Sequence, residues 1–132
     1  MSSHQPTKTA EEVLREDGRY PGAAGRFVRE GLNHAVLLFH GSGGEVDEPR
    51  HVSGEQLCEA LRDLASKRWG FLARSVLRRW GIRATRDFGE IVFLLVKNDL
   101  MQTQPTDSIE DFDEVYDFCE AFDGEYEIKT DG

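Results

Sequence analysis

The run Ala35-Val-Leu-Leu-Phe-His-Gly-Ser-Gly-Gly44 holds the residue types closest to reaction chemistry. An apolar segment leading into a His-Gly pair is how some hydrolases aim backbone N–H groups at a developing oxyanion. Such an enzyme also needs a G-x-S-x-G elbow, then an acid and a histidine in that order. No elbow follows here, and the last histidine is His51. The same residues continue an apolar face that starts at Phe27 with helical spacing. The expectation is therefore a helix that ends at Gly41.

Other chemical patterns fail on spacing. Gly41, Gly43 and Gly44 lack the Lys-Ser/Thr pair of a phosphate loop. The histidines and cysteines show neither C-x-x-C nor H-E-x-x-H, although His40, His51 and Cys58 could be drawn together around a metal. Asp111 and Asp113 open like a calcium-binding loop, but its glycine and closing glutamate are missing. No catalytic residue, metal ligand or cofactor is assigned. Cys58 and Cys119 both stand among apolar neighbours and are expected to be free thiols.

Charge is unevenly distributed. Residues 62–86 carry eight basic side chains against Asp63, whereas residues 101–132 carry eleven acids against Lys129. Two candidate surfaces follow. Arg74, Arg78, Arg79, Arg83 and Arg86 could face phosphates or an acidic partner. Asp111, Asp113, Glu114 and Asp117 could form an acidic interaction face. A third outcome is intramolecular, with the acidic segment lying over the basic helices. The net charge of −9 argues against indiscriminate binding to nucleic acid or an anionic membrane.

These residues must be positioned by helices. The 132-residue chain, with 39% hydrophobic residues, fits one domain with its own core. Residues 1–8 read as a disordered tail, 9–122 as the globular domain with a flexible loop over 41–50, and 123–132 as a loosely ordered acidic end. A short helix fits Ala10–Glu16. A longer one follows Tyr20-Pro21, its inner face running Phe27, Val28, Gly31, Leu32, Ala35, Val36 and Phe39. Gly22, Gly25 and Gly31 should each weaken it, by up to about 1 kcal/mol. Ser53 and Gln56 make a capping box for a helix that buries Leu57, Ala60, Leu61, Leu64 and Ala65.

After Trp69-Gly70 comes a helix carrying Leu72, Ala73, Val76, Leu77 and Trp80 inward. Gly81 stops it, and Thr85 is expected to cap a buried helix with Phe88, Ile91, Val92 and Leu95. Segment 71–98 thus has helix-turn-helix order, though Asp87 and Glu90 sit in the element that would read a groove. Residues 100–118 predict an amphipathic helix or a short extended segment. The longest apolar stretch, Ile91–Val96, falls far short of the roughly 20 residues that span a bilayer. The polar N-terminus lacks a secretory signal, so a cytoplasmic protein without membrane attachment is expected.

From Arg50 to Phe122 the chain resembles a family of small uncharacterised bacterial proteins. Arg50-His-Val-Ser-Gly54, Ala73-Arg-Ser-Val-Leu-Arg-Arg-Trp-Gly-Ile82, Thr85-Arg-Asp-Phe-Gly-Glu-Ile-Val-Phe-Leu-Leu-Val96 and Asp111-Phe-Asp-Glu-Val-Tyr-Asp-Phe118 carry the resemblance. A weaker one covers Arg19-Tyr20-Pro21. It implies a shared fold and no activity.

The expected architecture is mainly α, a compact orthogonal bundle of four to six helices. A small C-terminal β-hairpin would give a winged-helix-like variant. The leading functional expectation is a non-catalytic binding or adaptor domain with a protein partner. Nucleic-acid binding through the basic segment is the alternative. A small-molecule enzyme using His51 and Ser53 stands third.

Overall fold

The computed structural model describes residues 8–40, 52–103 and 107–124. Five α-helices are present among them: α1 (Ala10–Asp17), α2 (Gly22–His40), α3 (Gly54–Trp69), α4 (Ala73–Arg79) and α5 (Thr85–Lys97). Short 3₁₀ turns cover Gly70–Leu72 and Ile109–Phe112, and a π-helical turn covers Cys119–Gly124. No strand occurs among the described residues, so the hairpin expected within 100–118 is absent there. That segment has neither helical nor strand periodicity. Its aromatics face the core from successive irregular turns. The glycine loop over 41–50, most of the tail 1–8 and most of the acidic end 123–132 lie outside the described residues.

Helix ends follow their local chemistry. Thr9 and Glu12 form a reciprocal capping box at α1, as Ser53 and Gln56 do at α3. At α5 the expected cap is corrected. Ala84 occupies the cap position, and the Asp87 carboxylate accepts from the Arg83 and Ala84 N–H groups at 2.9 and 3.1 Å. Asp87 also accepts from the Tyr20 hydroxyl at 2.7 Å, which ties the α1–α2 connection to the start of α5. Burial, and then this hydrogen bond to a carboxylate, push the Tyr20 phenol well above its ordinary range.

One continuous core joins all five helices, with Phe27, Leu61, Leu77, Ile82, Phe88, Ile91 and Leu95 at its centre. The α2–α3 pair is its widest seam. It runs antiparallel: Phe27 meets Trp69, Gly31 meets Leu61, and His34 contacts Asp63 at 2.7 Å. A methyl group added at Gly31 would lie 2.1 Å from Leu61 Cδ2. This glycine therefore weakens the helix locally but permits the close approach of its neighbour. Trp80 completes an aromatic triad, 5.7 Å from Phe27 and 5.4 Å from Trp69, so α4 is anchored on the same seam.

Two expected core residues are exposed instead. Phe39 lies in the last turn of α2, together with exposed Leu37 and Leu38. Leu72 is exposed because Gly70, at φ +58°, breaks the helical phase, and the 3₁₀ turn carries Phe71 and Leu72 outward. Cys119 is also exposed, while Cys58 is fully buried. Among the described residues no helix is long and apolar enough to cross a membrane.

Candidate arginine-lined site

Arg74 and Arg78 are four residues apart and therefore share one face of α4. The turn after Gly81 brings Arg83 beside them. Their side chains border a hollow of about 420 Å³ whose remaining walls are Ile82 and Phe118. Ile82 is fully buried and Phe118 nearly so. Arg78 and Arg83 form no ion pair among the described residues.

A second hollow of about 460 Å³ adjoins the first, since Arg83 and Phe118 line both. Its other walls are Ala84, Thr85, Glu114, Tyr116 and Asp117. Thr85 fixes this wall to α5: its hydroxyl donates to the Phe112 carbonyl at 2.6 Å and accepts from the Val115 N–H at 3.1 Å. Tyr116 donates to the Cys58 carbonyl at 2.8 Å, stacks on Phe118 and carries Arg62 over its ring. Burial, above all, holds the Tyr116 phenol far above its normal range. Glu114 sits at φ +52°, an uncommon conformation for a residue with a side chain.

The five candidate arginines separate. Arg74, Arg78 and Arg83 share the hollow, whereas Arg79 is exposed and outside it. Arg86 is engaged by the chain itself, pairing with Asp113 at 2.9 Å and with Glu90 at 3.6 Å. The acidic candidates also divide. Asp113 is held by Arg86, and Asp111 accepts from the Ser108 N–H at 3.0 Å. Asp117 accepts from the Cys119 and Glu120 N–H groups at 2.8 and 3.2 Å. Glu114 has no hydrogen-bonded or ionic partner among the described residues. Part of the acidic segment thus covers the basic helices, and part of it borders their remaining open surface.

Other places offer less chemistry. Among the described residues no group of three His, Cys, Asp or Glu side chains could hold a metal. The proposed His40–His51–Cys58 set cannot be traced, because His51 and the His40 side chain lie outside the described residues. Cys58 is buried, which raises its thiol pKa far from the thiolate range a nucleophile needs. Ser53 is occupied as a helix cap and borders a cavity of about 40 Å³ beside Phe93 and Phe112, room for little more than a water. The walls Ile82 and Phe118 were not assigned to a site from sequence. The sequence pointed to it only through the basic run over 62–86, which contains Arg74, Arg78 and Arg83. No protein-family model, curated protein or solved structure matches the chain.

Proposed function

We propose that this protein is a non-catalytic binding domain that docks an anionic segment of a protein partner in the arginine-lined hollow. The observation that supports this most directly is the convergence of Arg74, Arg78 and Arg83 over an apolar wall of Ile82 and Phe118. Concave shape, an apolar base and a few convergent charges are the general marks of a binding site. Family membership, as suggested by the resemblance from Arg50 to Phe122, belongs to the same proposal and adds no activity to it.

Nucleic-acid binding is the second reading, favoured by the number of basic residues over 62–86. It has to contend with α5, the element that would enter a groove. Phe88, Gly89, Ile91, Val92 and Leu95 are buried, and its exposed start is tied up by Arg86–Asp113 and Asp87. Glu114 and Asp117 also border the route a polyanion would take past Arg83.

The test is fluorescence anisotropy with a labelled acidic peptide containing one apolar residue, beside single-stranded and duplex oligonucleotides. The peptide should bind, and Arg78→Glu should weaken it at least about tenfold, or about 1.4 kcal/mol. Arg79→Glu makes the same charge change outside the hollow and should have a much smaller effect. Equal losses in both variants would reduce the effect to net charge and remove the site. Tight oligonucleotide binding that depends on Arg78 and falls steeply with salt would establish the second reading instead.

A further inference from the structure

The adjoining hollows carry opposite charges. One end is bordered by Arg74, Arg78 and Arg83, the other by Glu114 and Asp117, and Phe118 and Arg83 are common to both. Each volume, about 420 and 460 Å³, accommodates a large side chain with its flanking backbone. A uniformly acidic ligand long enough to fill both would bring its second charge against two carboxylates. A uniformly basic one would meet the arginines. Asp117 uses one carboxylate oxygen, Oδ1, to hold the following turn, while Glu114 has no such duty.

We infer that the two hollows together recognise a short extended peptide of mixed charge. Its acidic residue lies among Arg74, Arg78 and Arg83, an apolar residue packs along the arginine stems and the edge of Phe118, and a lysine or arginine faces Glu114 and Asp117. Residues in an extended peptide advance about 3.3 to 3.6 Å each, so a few residues bridge adjoining hollows. This rests on the binding function proposed above and adds the ligand's charge order. Like-charge juxtaposition supplies the discrimination, because it rejects wrong ligands more sharply than attraction selects right ones.

The test uses two labelled hexapeptides on the full-length protein. One carries an acid, a central phenylalanine and a lysine; the other replaces the lysine with glutamate. The mixed peptide should bind wild type at least about fivefold more tightly. Glu114→Lys should reverse that order, with circular dichroism and thermal midpoint confirming an intact fold. Asp117 is left unchanged because its hydrogen bonds support the chain. Equal affinity of wild type for both peptides, or an unchanged order in Glu114→Lys, overturns the inference. If both peptides bind equally but still depend on Arg78, the binding function stands and only the charge order fails. If neither peptide binds, both proposals fall together.

Discussion

The Thr85 hydroxyl uses a single oxygen to serve two backbone groups of the returning acidic segment, the Phe112 carbonyl and the Val115 N–H. Thr85 and Phe112 are almost completely buried, so the Phe112 carbonyl has little access to water as a substitute partner, while Val115 is half-buried. Thr85→Val keeps the shape and removes both hydrogen bonds. The expected loss is about 1–3 kcal/mol for each group left unsatisfied, checked by urea denaturation. Thr85→Ser should recover most of it, since the oxygen is restored. A valine variant as stable as wild type would mean that the segment can turn these groups to solvent. From sequence Thr85 was readable as a helix start, but its actual partners lie in residues 112–115. Sequence neighbours carry no sign of such a contact.

Helices were legible wherever one face alone had to be buried. The capping box at Ser53–Gln56, the stop at Gly81 and the inner stripe of α5 are all local patterns, and each appears in the structure. The residues after Leu100 were not legible, because Phe112, Phe118 and Phe122 are buried without a constant period. Gly31 shows the same limit within a regular helix. Propensity counts it as a defect, whereas packing uses the missing side chain to seat Leu61. Gly31→Ala should therefore destabilise by about 1–2 kcal/mol, overpacking of about 1–3 kcal/mol outweighing up to about 1 kcal/mol of helix gain. A urea midpoint that rises in this variant would show that Leu61 moves aside freely. The paired variant with Leu61→Ala should lose less than the two single losses combined.

Over the whole molecule, charge follows both local pairing and long-range segregation. The sequence showed the segregation but not which basic groups would be neutralised, because Arg86–Asp113 and Arg68–Glu30 join residues far apart in the chain. Among the described residues two carboxyls lie below their ordinary range: Asp63, chiefly through its hydrogen bond with His34, and Asp17, chiefly through Arg19. A depressed folded-state pKa adds stability above the unfolded value of about 3.9 and loses it as pH falls through the folded value. The unfolding midpoint should therefore decline below about pH 4, and Asp63→Asn should shallow that decline. An acid limb of identical slope in the variant would remove His34–Asp63 from the explanation. The aromatic triad on the α2–α3–α4 seam has an optical consequence. Both of the chain's tryptophans, Trp69 and Trp80, belong to it, with ring centres 5.4 Å apart. Indole emission therefore reports the parting of that seam, while separation of the Tyr116–Phe118–Phe122 cluster from α5 would leave it nearly unchanged.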